Sequence, residues 1–260
     1  MTIFQRFDLI TLVRVHIFFV FMAVAGCGPR PEGQALLIVP QGETSPRLVT
    51  LTVATSRARD ASTGRYSDAR APALNYEVFT VSIPPIHKVT QIEWPQSKPD
   101  PQTTFAVTSR QVLPKFALST GLSKKEKTAT TIGKRDVLIF VHGYNNNFAE
   151  SLFRLAQISM DGNLEEAPIL FAWPSAGSLT GYIADKDAVT YSRDDLVELL
   201  KIVTADPAVG NITLFGHSMG SWLVAEALRQ LRLSRQDYVI DRLENVVLAA
   251  PDIDIDVFRR

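Results

Sequence analysis

Four short runs of unbroken apolar residues constrain the fold more than any other feature of the chain. They are DVLIFV (136–141), PILFAW (168–173), NITLF (211–215) and NVVLAA (245–250). A strand with one wet face alternates apolar and polar residues. A run without alternation suits a strand covered on both faces, as in a parallel sheet between helices. Helical spacing fills the gaps between the runs. Phe148, Leu152, Leu155, Ala156 and Ser159 share one helical face, as do Leu196, Leu199, Leu200 and Val203, with Ser192 and Asp195 spaced as a capping pair. Strand alternating with helix at this rhythm predicts an α/β domain over residues 134–260, a mostly parallel sheet flanked by helices and joined by right-handed crossovers.

The preceding residues, 47–133, have a different texture. LVTLTVAT (48–55) and YEVFTVSIP (76–84) alternate, and HKVTQIEW (87–94) follows in the same style. The polar stretch SRARDASTGRYSDARAPA (56–73) between them is expected to form a long loop. This region is expected to be a β-rich N-terminal extension packed against the main domain.

The chemistry concentrates at the ends of the apolar runs. GHSMG (216–220) has the G-x-S-x-G form of a nucleophile elbow, a strand-to-helix turn so sharp that its flanking positions must be glycine. The pattern alone is weak. Its context strengthens it: an apolar strand leads in, and Leu223, Val224, Ala227, Leu228 and Leu231 give the next segment a buried helical face. Ser218 is therefore the candidate nucleophile. FVHGYNNNF (140–148) ends one strand and begins a helix near Asn147, so its N–H groups can face a developing oxyanion. The expected donors are the backbone N–H groups of Met219 and Tyr144, with Asn145 as an alternative to the latter. His142 belongs to that loop and reads as a stabilising side chain.

LAAPDIDIDVF (248–258) ends a strand in acidic residues. Asp252 is the candidate to orient a histidine and stabilise its imidazolium; the alternative is that Asp252 and Asp254 cap the next helix. Trp173 and Tyr182, near another strand end, either line a substrate pocket or pack. No metal-ligand spacing, phosphate-cradling loop or dinucleotide fingerprint occurs, so neither metal nor cofactor is expected.

A serine nucleophile needs a base. The histidines are His16, His87, His142 and His217, and none follows Ser218. His217 adjoins the serine, but consecutive side chains at a tight elbow diverge.

Arg6 and Arg14 precede the apolar run IFFVFMAVAG (17–26), which is too short for a comfortable membrane span and suits a secretory signal. VAGC (24–27) resembles a bacterial lipobox, with Cys27 as the lipidated residue. Residues 1–26 are then a signal peptide and 27–46 a tether, opened by the Pro/Gly-rich GPRPEGQ (28–34). An uncleaved N-terminal anchor is the other reading. Both put the body outside the cytoplasm at a bacterial envelope membrane, either the outer side of the inner membrane or the outer membrane. The single cysteine excludes an intrachain disulfide framework, and 27 basic against 27 acidic residues give no basic excess for nucleic acid.

In order, VATSR, VSIPPIH, IEWP, VHGYNNNF, FAWPS, GHSMG and LAAPDID resemble a bacterial family of α/β-hydrolase-fold proteins of unknown function, described as esterase/lipase-superfamily enzymes. The resemblance runs from about residue 51 to 258. It implies an α/β-hydrolase fold with a β-containing N-terminal extension, and Ser218 as nucleophile. It supplies no substrate beyond an acyl ester.

Members of that fold continue past this point through two more strands, and the histidine follows the last. The resemblance thus implies a fold incomplete at the C-terminus, an uncovered sheet edge and poor solubility, with the base lying beyond Arg260. The expected activity is carboxylic ester hydrolysis, impaired in residues 1–260. A non-catalytic, membrane-tethered binding protein and an acyltransferase using the same serine are the alternatives.

Overall fold

The computed structural model describes residues 33–40, 47–114 and 134–259. Cys27 and the expected signal peptide lie outside the described residues.

Seven strands form one sheet: β1 (Arg47–Arg59), β2 (Tyr66–Ile83), β3 (Ala106–Leu113), β4 (Arg135–Val141), β5 (Ala167–Ala172), β6 (Val209–His217) and β7 (Leu243–Ala249). Their spatial order is β3-β2-β1-β5-β4-β6-β7. The four contacts from β1 through β5, β4 and β6 to β7 are parallel, and the two that add β2 and β3 are antiparallel. The fold is thus α/β with a mostly parallel sheet, as the apolar runs predict.

The β-rich stretch is not a separate layer packed on the domain. Strand β1 is hydrogen-bonded beside β5, with Thr52 opposite Ile169 and Thr55 opposite Ala172. Residues 56–73 are not a loop either, because β1 and β2 pair out to Arg59 and Tyr66. Their polar residues are turn chemistry: Asp60 Oδ1 accepts from the N–H groups of Ser62 and Thr63 at 2.9 and 2.7 Å, and Gly64 takes φ +67°. HKVTQIEW forms no strand. His87 pins it instead, with Nδ1 2.7 Å from Glu93 Oε2 and Nε2 2.8 Å from Asp161 Oδ1. Part of the expected tether is also ordered. Residues Gly33–Leu36 form a 3-10 turn, Ala35 and Val39 are buried, and the Val39 N–H donates to Val107 O.

Helices cover both faces: α1 (Phe148–Asp161), α2 (Tyr182–Tyr191), α3 (Arg193–Ala205), α4 (Met219–Leu233) and the short α5 (Asp237–Ile240) and α6 (Ile255–Phe258). Alternation along β4 divides the core. Leu138 and Phe140 face α1 through Leu152, Leu155 and Ala156, whereas Val137, Ile139 and Val141 face α2, α3 and α4 through Val189, Leu199 and Leu223. Each such side chain, fully buried, stabilises the fold by roughly 1.5–3 kcal/mol. No helix among the described residues is long and apolar enough to cross a membrane.

Ser192 does not cap α3 with its side chain. It is shared between the end of α2 and the start of α3, and its hydroxyl goes to Ala188 O (2.9 Å) and Ser56 Oγ (2.8 Å).

Candidate active site

Strand β6 runs into α4 with a single residue between helix and strand geometry. Ser218 has φ 51° and ψ −122°, a conformation outside the regions an L-residue favours. Its surroundings over-determine it. The Ser218 N–H donates to Ala249 O at 2.9 Å, and Ser218 O accepts from Ser221 N (2.9 Å) and Asp252 N (3.2 Å). The glycines on either side are sterically required. A Cβ on Gly216 would lie 2.8–2.9 Å from main-chain atoms of Gly220 and Ser221, and one on Gly220 would overlap the carbonyl oxygens of Val141 and His142. Helix α4 therefore abuts the end of β4, which brings the loop after β4 beside the serine. Gly143 is the point of approach, since a Cβ there would be 3.0 Å from Ser218 Cβ.

Met219 is the first residue of α4, so its N–H has no acceptor within the helix. Across from it, the loop 143–147 leads into α1, whose start is fixed by a capping box between Asn147 and Glu150. Among the described residues, hydrogen bonds engage the N–H groups of Asn145, Asn146 and Asn147 but not that of Tyr144. Asn145 is turned away, its N–H 3.4 Å from Asp185 Oδ2. Of the two expected donors in this loop, Tyr144 is the one left open.

Asp252 lies just past β7. Its main chain braces the elbow, and its carboxylate accepts the Tyr182 hydroxyl at 2.8 Å. The capping role falls to Asp254 alone, which accepts from the N–H groups of Asp256 and Val257. Tyr182 meets the ring of Tyr144 edge-on at 5.3 Å, and the Tyr144 hydroxyl donates to Leu179 O at 2.5 Å. The two tyrosines thus join the loops after β4, β5 and β7 around Ser218.

With this geometry, the comparison with known families is informative. Residues 118–260, more than half the chain, match the model of a family described as "Alpha/beta hydrolase of unknown function (DUF900)". The chain belongs to the DUF900 family. No curated protein matches it.

In this DUF900 chain the described histidines are all placed, and none bonds to Ser218. His87 lies at the C-terminal end of α1, held by Glu93 and Asp161. His142 is fully buried, stacked on Trp173 with rings 4.9 Å apart, its nitrogens 2.9 Å from Gly143 O and 3.1 Å from Trp173 O. Burial, with the nearby charge of Arg57, pushes its pKa down to about 3, so it stays neutral and structural. His217 is exposed and makes no hydrogen bond to its neighbour. The Ser218 hydroxyl itself is unengaged among the described residues.

Trp173 packs: it is fully buried, and its indole N–H donates to His142 O at 2.7 Å. Sequence reasoning missed Asp185, Arg57 and Ser175. All three are buried behind the loop 143–147. Asp185 sits in a segment rich in Asp and Lys and reads there as solvated; its partners are distant in the chain.

Proposed function

We propose that this DUF900 chain is a serine hydrolase acting on a carboxylic ester. The observation that carries the reading is the backbone of Ser218, held at positive φ by main-chain bonds from β7 and by two glycines that permit contact with β4. Such strain persists where the surroundings enforce it, and it presents a hydroxyl at the mouth of a sheet.

In this reading Ser218 Oγ attacks the ester carbonyl while its proton passes to a histidine. The N–H groups of Met219 and Tyr144 hold the oxyanion of the tetrahedral intermediate. Its collapse expels the alkoxide, which takes the proton from the imidazolium, and leaves an acyl-serine that water then hydrolyses. Asp252 orients that histidine, a role that none of His87, His142 and His217 fills as placed. Turnover by these residues alone is accordingly slow, since loss of a triad histidine costs on the order of 10⁶ in kcat. No step requires a cofactor. Transfer of the acyl group to an alcohol would use the same residues.

The protein is anchored in the bacterial envelope through a lipid on Cys27. Incorporation of labelled palmitate, lost in Cys27→Ala, is the expected result; incorporation at wild-type level in that variant contradicts the anchor.

A second reading is a tethered binding protein that kept the fold without the chemistry. The Tyr182 hydroxyl on Asp252 favours it, because that carboxylate is already engaged. A fluorophosphonate probe, with exogenous imidazole standing in for the histidine, separates the two. A hydrolase takes the label at Ser218 and loses it in Ser218→Ala, whereas a binding protein stays unlabelled.

A further inference from the structure

We propose that Asp185, with Ser175 and Arg57, is the positioning device of the oxyanion loop, and sets which N–H of residues 144–146 faces the substrate. The inference rests on Ser218 being the nucleophile and concerns groups that never touch substrate.

Asp185, in the first turn of α2, is 1% exposed. A carboxylate so deeply buried is costly unless its oxygens are satisfied. Here they are, by donors from both loops that flank the serine. Oδ2 accepts the Ser175 hydroxyl at 2.6 Å and lies 3.4 Å from the Asn145 N–H, while Oδ1 accepts the Ala176 N–H at 2.7 Å. Ser175 Oγ in turn accepts the N–H of Asn146 at 3.3 Å. The next carbonyl is fixed from the opposite side, because Arg57 Nη2 donates to Asn146 O at 2.9 Å.

Three groups drawn from β1, α2 and the loop after β5 thus determine the peptide planes at 145 and 146. With the N–H of Asn145 directed to Asp185 and that of Asn146 to Ser175, and Asn145 at φ 61°, the Tyr144 N–H is the one these anchors leave for the substrate. The same pair balances charge. Arg57 is 2% exposed, and although burial pushes its pKa down to about 10, the carboxylate of Asp185 works against that fall. Burial keeps His142, at the start of the loop, neutral, and the nearby guanidinium adds to that effect. Asp185 further ties residues 175 and 176 to the loop. The strap bearing Leu179 and Tyr182 therefore moves with the oxyanion site rather than independently of it.

The test compares wild type with Asp185→Asn, with the milder Ser175→Ala, and with Asp187→Asn, an exposed neighbour in the same helix. Two quantities are read: hydrogen exchange over residues 143–147, and the rate of Ser218 phosphonylation by a fluorophosphonate with exogenous imidazole standing in for the missing base. In Asp185→Asn we expect loop exchange to speed by at least about tenfold while the buried amides of α4 keep their rates. Phosphonylation should slow by about 10–100-fold at an unchanged half-saturating concentration, the loss expected when an oxyanion donor is misplaced. Ser175→Ala should give smaller changes of the same sign, and Asp187→Asn none. Unchanged loop exchange in both Asp185→Asn and Ser175→Ala overturns the inference, as does faster exchange with undiminished phosphonylation. A wild-type chain that takes no label even with imidazole present overturns the hydrolase reading instead, and loop exchange alone then decides whether Asp185 holds the loop.

Discussion

The elbow at Ser218 and the strand beside it, β7, are hydrogen-bonded neighbours with opposite characters. Residues of the elbow are packed to the point where a single Cβ cannot be added at Gly216 or Gly220. Strand β7 ends the sheet; Val246 and Val247 are 43% and 40% exposed, and the following helix α6 has no buried residue. The proposed nucleophile and both proposed oxyanion donors thus stand on the rigid side, while the proposed orienting carboxylate, Asp252, stands on the open side. Strain at Ser218 can persist because the closed side absorbs it. Among the described residues the open side leaves the outer edge of β7 unpaired, a place where a partner can add.

This contrast can be broken in several ways, of which the most drastic is chemical. Ser218→Ala should reduce any ester hydrolysis or fluorophosphonate labelling to the level of buffer while leaving the thermal midpoint within a few degrees. Hydrolysis surviving in that variant would assign the chemistry elsewhere. On the rigid side, Gly220→Val should cost about 3 kcal/mol or more in a urea titration, since its branched side chain would press on the ends of β4. A midpoint within error of wild type would show that α4 does not abut β4 as described.

His87 supplies a pH test remote from the site. Burial disfavours its charged form, but the hydrogen bonds it donates to Asp161 and Glu93 prevail and raise its pKa. A raised folded-state pKa contributes stability that is fully present below the ordinary imidazole range, near 6.5, and lost as pH rises through the folded value. Glu93 and Asp161 behave oppositely. Burial raises them and the bond to His87 lowers them more, so their contribution is present above the usual carboxylate range and lost as pH falls. The clasp is therefore strongest between those limits. His87→Gln should flatten the fall in thermal midpoint on the alkaline side of roughly pH 6.5; an unchanged profile would assign that fall to other groups.

The smallest effect belongs to the open side. Val246→Lys should change stability by no more than about 0.5 kcal/mol, because the side chain is already exposed, yet reduce self-association measured by sedimentation. A large loss of stability there would show that β7 is covered in solution.

How much of this was legible in the sequence follows the same division. The apolar runs disclosed β4, β5, β6 and β7; burial on both faces explains the unbroken runs of β4 and β5, whereas β7 carries such a run although no residue of it is buried. GHSMG disclosed the elbow, because its glycines answer a local steric need. Asn147 as a helix start was readable from cap chemistry. What stayed hidden was long-range. Nothing in VATSR says that β1 lies beside β5, and Asp60 closing a hairpin reads as one more polar residue in a polar stretch. HKVTQIEW alternates like a strand, but its polar residues are spent on the His87 clasp, whose partner Asp161 lies at the far end of α1. The same holds for Asp185 and Arg57, whose meaning appears only when three separate elements converge on one loop.

The central claim is that Ser218 is a poised nucleophile without its base in residues 1–260. Exogenous imidazole can stand in for an absent histidine, so the direct test is hydrolysis of an activated acetate ester by these residues, with and without imidazole, against Ser218→Ala. The account predicts slow turnover that imidazole raises well above its own background, with the increment absent from Ser218→Ala. Equal rates for the two proteins at every imidazole concentration would contradict the nucleophile, and fast hydrolysis without imidazole would contradict the missing base.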